Sequence, residues 1–133
     1  MISFIFAVMT LTAVELDCMA VNVYHEARNE PISGMYAVMD VVHNRVKHKA
    51  WPNNVCAVIY QKAQFSWTAK PLKIKNKKKL KEIKKLVVRY TKGLNRGESK
   101  GALWYHATYV KPKWSKKLKV SRRIGQHIFY KKL

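Results

Sequence analysis

Tyr24-His25-Glu26-Ala27-Arg28-Asn29-Glu30-Pro31 closes the apolar N-terminal part of this chain, and its reading decides what kind of domain follows. Behind it, residues 11–28 read as a helix, with Leu11, Val14, Cys18, Val21 and His25 at the three-and-four spacing of one helix face. Pro31 ends that helix, because proline disfavours the helical conformation for the residue before it. Glu26 thus sits at the end of an apolar helix beside a turn, where a carboxylic acid is partly desolvated. Desolvation raises its pKa and keeps it protonated near neutral pH, as a general acid for glycosidic cleavage requires. The same place also suits a surface glutamate paired with Arg28 or a lysine. His25-Glu26 begins a metalloprotease pattern too, but that pattern needs a second His four residues on, and position 29 is Asn.

Forward of Pro31, Ser33 is a candidate N-cap for a helix over 34–47, with Met35, Val38, Val42 and Val46 on one stripe. Pro52-Asn53-Asn54 is a turn whose last residue is placed to cap a short helix over 55–61. Residues 64–68 read as a strand, with Gln64 and Ser66 on one face and Phe65 and Trp67 on the other. The lysine run that follows is patterned: Leu80, Ile83, Val87 and Tyr90 fall at helical spacing. Residues 77–92 are therefore an amphipathic helix with a lysine wet face, ended by Gly93. A strand over 102–107, a long loop over 109–121 and a last strand over 123–130 complete the pattern. Helices first, then a few strands, predict an α+β domain with a small antiparallel sheet.

The 133 residues fit one domain, read here as residues 15–133, preceded by an apolar segment at 1–14. That segment is either a short export signal or weak membrane anchor, without the usual basic start, or a buried first helix. The chain is 48% hydrophobic, too apolar for a disordered basic tail. Charge is segregated. Residues 1–40 hold one basic residue and five acidic ones, a net −4. Residues 41–133 hold 26 basic residues but only Glu82 and Glu98, a net +24. The basic part would attract a polyanion, while nearly every carboxylate that could do chemistry lies in the first third. Cys18 and Cys56 are either two buried reduced thiols or one disulfide. With the scattered histidines they make no zinc pattern, so neither metal nor cofactor is expected.

Cys18-Met19-Ala20, Tyr24 to Pro31 and Val41-Val42-His43-Asn44-Arg45-Val46 together resemble the germination-type cell-wall hydrolases, the SleB/CwlJ-like family. The resemblance continues in order through Trp51-Pro52-Asn53, Val55-Cys56, Gln64-Phe65-Ser66-Trp67, Gly101-Ala102-Leu103-Trp104-Tyr105-His106 and Arg123-Ile124-Gly125-Gln126-His127-Ile128-Phe129-Tyr130. It spans roughly residues 15–130; each piece is weak, but the ordered set is specific. The resemblance implies a lysozyme-like, mostly helical core that cleaves peptidoglycan glycan strands, with Glu26 on the family's catalytic glutamate. It also places Cys18 and Cys56 in neighbouring motifs, implying a disulfide if the chain works outside the cytoplasm. The family pattern has Gly where this chain has Asn29. A left-handed helix end takes Asn next most readily after Gly, so Asn29 is expected to keep that turn.

A cleft for a sugar polymer needs aromatic platforms and polar partners. Gln64 and Ser66 are expected to face substrate, with Tyr105 and His106 on the neighbouring strand; His106 is either a structural histidine or a substrate contact. Tyr24 is expected to be structural, and His43, Asn44 and Arg45 to fix helix contacts. Trp51 and Trp114 are loop aromatics, plugs or sugar platforms. Hydrolysis with two carboxylates finds few candidates for the second. Glu30 follows a helix break, Asp17 lies about 13 Å back along a helix axis, and Glu82 and Glu98 stand among lysines. This scarcity suits a lytic transglycosylase, in which the sugar's own 6-hydroxyl attacks, ahead of simple hydrolysis. Lys77, Lys78, Lys79 and Lys81 are either a solvated face or a dock for anionic envelope polymers or lipids. The rivals are a nucleic-acid-binding module, for which no helix-turn-helix, zinc-finger or zipper pattern is found, and a membrane-disrupting cationic protein. A monomer acting in the periplasm or cell wall is expected, from a phage lysin or a small bacterial wall-remodelling enzyme.

Overall fold

The computed structural model describes residues 10–61, 65–70 and 73–133. Residues 1–9 of the apolar N-terminal segment and Gln64, an expected substrate contact, lie outside them. Four helices, α1 (Ala13–Ala27), α2 (Ile32–Lys47), α3 (Val55–Ile59) and α4 (Lys77–Thr91), precede and pack beside a three-stranded antiparallel sheet. The strands are β1 (Trp104–Ala107), β2 (Lys119–Ile124) and β3 (His127–Lys131), in the order β1-β3-β2. The α+β architecture expected from the element pattern is the one observed.

Local chemistry sets the helix ends. Thr12 closes a capping box on α1: its hydroxyl accepts from Glu15 N at 3.1 Å, and Glu15 Oε1 accepts from Thr12 N at 3.3 Å. Asn54 caps α3 and Asn76 caps α4, each through its side-chain oxygen. Pro31 rather than Ser33 occupies the N-cap of α2, so the helix starts at Ile32. The turn between α1 and α2 does not use a left-handed Asn29. Arg28 remains right-handed (φ −60°), the non-glycine residues with positive φ among the described residues are Asn95 and Lys100, and Glu30 N bonds back to Ala27 O at 3.0 Å.

The core is built around α2, which is buried on nearly all sides from Gly34 to His43. Helix α1 faces it with Met19, Ala20, Val23, Tyr24 and Ala27. The stripe read from spacing alone is therefore the edge of the helix: Val14 is 68% exposed, and Cys18, Val21 and His25 are half-buried. On α4 the expected stripe is the inner face, with Ile83, Val87 and Tyr90 buried and the lysines outward. Cys18 and Cys56 form a disulfide that ties α1 to α3, with Cα atoms 5.4 Å apart.

Two strand expectations change. Residues 66–68 form a turn of 3-10 helix instead of a strand, so Tyr105 pairs only with β3. The indole of Trp67, 45 residues from Asn22, donates to Asn22 Oδ1 at 2.8 Å and pulls this segment onto α1. The expected last strand over 123–130 is a hairpin turning at Gly125-Gln126, and the expected loop before it holds a 3-10 turn (Lys113–Lys117) and the first half of β2. Gly125 has φ +51°, and a Cβ there would lie 2.7 Å from Glu30 Oε1, so the turn requires glycine on both counts.

One buried polar node positions the sheet. Asp40 on α2 accepts from Tyr90 Oη (2.8 Å), Gly97 N (3.2 Å), Asn44 Nδ2 (3.4 Å) and the Ser99 hydroxyl. With every partner in place a buried carboxylate is tolerated. The node fixes the loop over 93–101 that delivers β1, and Asn44 Nδ2 and Arg45 Nε then donate to the carbonyls of Ala102 and Leu103 at 2.9 and 2.8 Å.

Candidate active site

Glu26 lies in the last turn of α1, one residue before the buried Ala27, and its carboxyl opens into a cleft of about 590 Å³. The opposite wall is β1, bearing Tyr105 and His106; the 3-10 turn supplies Ser66, and Arg45 and His127 also line the space. Ser66 is exposed into it while Phe65 and Trp67 point into the core. The expected division of these residues between two faces therefore survives the change from strand to 3-10 turn. The structure brings Glu26, Ser66, Tyr105 and His106 around one cleft.

The Tyr105 hydroxyl donates to Glu26 Oε1 across 79 residues of sequence. Burial pushes the Glu26 carboxyl above the usual range, partly opposed by this hydrogen bond and by the Arg45 charge. Burial also raises the Tyr105 phenol well up, reinforced by the neighbouring Glu26 charge, so it stays a donor. Arg45 is sequestered between the rings of Trp51 and Phe65, its Cζ 5.4 and 5.7 Å from their centroids. Burial brings its pKa down to about 10, which leaves it cationic at neutral pH.

His106 is held by its own neighbours. Nδ1 lies 2.7 Å from Ala107 O and Nε2 2.7 Å from Tyr130 Oη. A carbonyl only accepts, so Nδ1 carries a proton; in the neutral imidazole Nε2 then accepts from the tyrosine. Trp114 packs edge-on against both rings, 5.7 and 5.6 Å away, and Trp51 packs against Trp104 at 5.6 Å. Burial lowers the His127 pKa, opposed by Glu30. Its ring lies 5.0 Å from that of Tyr105.

The chain has seven carboxylates, all among the described residues, and their placements differ sharply. Asp17 pairs with Lys84 at 3.1 Å on the outside, Glu82 with Lys79 at 3.8 Å and Glu98 with Arg122 at 2.7 Å. Glu15 serves its capping box and Asp40 the buried node. Glu30 and Glu26 together line a second, smaller cavity that shares His25, Ala107, Tyr109 and His127 with the main cleft. Its Oε1 accepts from Gln126 N at 2.8 Å and lies 3.6 Å from His127 Nδ1, with 8% of the side chain exposed. Only Glu26 lines the main cleft.

Sequence reasoning missed Arg45 and His127 as cleft residues. For Arg45 a signal existed, a cation inside the apolar run of α2. For His127 the signal was its place in the Arg123–Tyr130 motif, but its position in the cleft follows from the hairpin.

A model of the cell wall hydrolase family matches residues 29–130, a span that takes in Ser66, Tyr105 and His106 and begins three residues after Glu26. Spore cortex-lytic enzymes are similar over a 55-residue stretch: 40% identical in Halalkalibacterium halodurans and 36% in Bacillus subtilis, covering 41% of this chain in each case. That stretch is 17% and 18% of the length of those relatives. Among solved structures, the catalytic domain of the germination-specific lytic transglycosylase SleB from Bacillus anthracis superposes with a TM-score of 0.75. It is 29% identical and covers 91% of this chain and 97% of that one. The catalytic domain of the Bacillus cereus SleB protein gives 0.76, at 28% identity, over 97% and 98%.

Proposed function

Because the chain belongs to the cell wall hydrolase family, we propose that it cleaves the glycan strands of peptidoglycan as a lytic transglycosylase, acting outside the cytoplasm. The observation that carries this reading is the cleft's single carboxyl: Glu26, raised in pKa by burial and held at one oxygen by Tyr105. Protonated Glu26 gives its proton to the glycosidic oxygen as the bond from C1 to that oxygen breaks. The resulting carboxylate, steadied by the Tyr105 hydroxyl and the Arg45 charge, takes the proton of the sugar's 6-hydroxyl. That oxygen then bonds to C1 and closes a 1,6-anhydro ring, with no water consumed and no second carboxylate required. Ser66, exposed into the cleft, is a substrate contact, while His106, with both ring nitrogens already engaged, offers substrate its ring face. The measurement that tests this is mass spectrometry of the released muropeptides: anhydro ends, lighter by one water than hydrolysis products, are expected. Reducing ends would move the reading to hydrolysis.

Tyr105→Phe isolates the role of the hydroxyl. The hydrogen bond favours the ionised carboxylate, so removing it raises the Glu26 pKa further. The alkaline limb of the rate against pH, where Glu26 loses the proton it must donate, is expected to move to higher pH. The maximal rate is expected to fall about tenfold with the loss of one charge-assisted bond. An unmoved limb would remove Tyr105 from the mechanism.

The lysine face of α4 supports docking on anionic envelope polymers. Lys77, Lys78 and Lys81 are exposed and, among the described residues, have no acidic partner; Lys79 alone of the four meets Glu82. Replacing all four with Gln is expected to weaken wall binding while sparing turnover on short soluble glycans. Wild-type binding is expected to fall steeply with salt, since exposed charges are screened beyond about 10 Å at 0.1 M. Unchanged binding in a sedimentation assay of the variant would make this a solvated face.

A further inference from the structure

A third cavity, of about 390 Å³, lies where the last turn of α1 meets the chain entering α4, lined by Tyr24, His25, Arg28, Lys73, Lys75 and Asn76. It borders the catalytic region: His25 also lines the main cleft, and His25 and Arg28 line the small cavity beside Glu26. Three of its six lining residues are cations and none is acidic. The chain's ion pairs among the described residues, which hold every carboxylate, leave Arg28, Lys73 and Lys75 without a carboxylate partner.

These cations are gathered around a built framework. Arg28 Nη1 donates to Tyr24 O at 3.2 Å, and its Cζ stands 5.0 Å from the Tyr24 ring centroid. The Tyr24 hydroxyl, on a buried side chain, accepts from Asn76 N at 3.0 Å and ties the segment carrying Lys73 and Lys75 to α1. Asn76 caps a helix of 15 residues, whose N-terminal end adds positive potential. A pocket of like charges is electrostatically unfavourable in isolation and is relieved by an anion.

A glycan backbone brings no charge to this place. Its muramyl residues carry, through the lactyl group, a peptide with free carboxylates. We infer that this cavity is an anion subsite that receives a carboxylate of the stem peptide while the glycan strand lies along the cleft. The inference rests on the glycan-cleaving reading above and adds to it a preference for strands that bear peptides.

Calorimetric binding of two tetrasaccharides of the wall glycan, one with its peptides and one stripped of them with the freed lactyl carboxyls blocked as neutral amides, tests this in the full chain carrying Glu26→Gln so that turnover does not intervene. At low salt the peptide-bearing form is expected to bind about tenfold tighter, the sum of a few partly exposed charge pairs. Adding Lys73→Gln and Lys75→Gln should abolish most of that difference. Adding Lys47→Gln and Lys49→Gln, which remove the same charge at exposed positions beyond the cavity, should preserve it. Equal binding of the two oligosaccharides overturns the subsite alone, as does an equal loss in both double variants, which would assign the preference to bulk charge. Binding of neither oligosaccharide overturns the glycan reading together with the subsite.

Discussion

Glu26→Gln is expected to lower glycan cleavage by about 10²–10⁴, the usual worth of a positioned general acid, measured as turbidity loss of purified peptidoglycan and as muropeptide release. Gln retains the shape and an oxygen for the Tyr105 hydroxyl but has no proton to give. Stability should not fall. Between the ordinary glutamate value and its own raised value, folded Glu26 holds a proton that the unfolded chain has released. Wild-type stability therefore decreases as pH rises through that window. The variant lacks this loss, so its melting temperature at neutral pH should equal or exceed that of the wild type. Asp17→Asn and Glu30→Gln are the necessary companions, and both should stay within about tenfold of wild type. Asp17 is on the outer surface with Lys84, and Gln at position 30 can still accept from Gln126 N. Loss of activity in Glu30→Gln together with reducing-end products would establish two-carboxylate hydrolysis. Full activity in Glu26→Gln would sink the enzymatic reading as argued, leaving the +24 segment to favour nucleic acid or membrane binding.

Removing the Cys18–Cys56 bridge has the second largest expected effect. The two residues are 38 apart in sequence, and the chain-entropy relation gives about 4 kcal/mol for a loop of that size. For a chain of this length that corresponds to a fall of roughly 10–15 °C in melting temperature, to be measured by calorimetry on the Cys18→Ser, Cys56→Ser double variant. The bridge bears on catalysis as well, because it anchors the helix whose last turn carries Glu26. Cleavage near the new melting temperature should be lost while cleavage at low temperature is kept. A melting point within a few degrees of wild type would show that the bridge adds little to packing between α1 and α3. Thiol titration of denatured, non-reduced protein is expected to find no free thiol; two would refute the bridge.

Helices were legible where a local rule decides them. The periodicity of α2 and α4, the turn at Pro52 and the caps at Asn54 and Asn76 act over three or four residues, and the observed boundaries lie within about two residues of the expected ones. Where two local rules competed, tertiary contacts chose. Alternating apolar and polar residues over 64–68 suit a strand, yet the Trp67 indole, drawn to Asn22, goes with a 3-10 turn. The β pattern over 123–130 concealed a two-residue turn, which becomes evident only when Glu30, 96 residues from Gln126, is seen to receive its amide.

By itself the sequence determined the charge segregation, the helical framework, the ordered motifs of a wall hydrolase, and Glu26 as the carboxyl at the end of an apolar helix. Only the tertiary structure decided which of the seven carboxylates meets a cleft, that Tyr105 bonds Glu26, and that Arg45 and His127 line the same space. The physical reason is that a carboxyl's proton affinity depends on what removes its water and what faces it. For Glu26 those groups come from β1 and α2, and their distance in sequence leaves no periodic trace around residue 26.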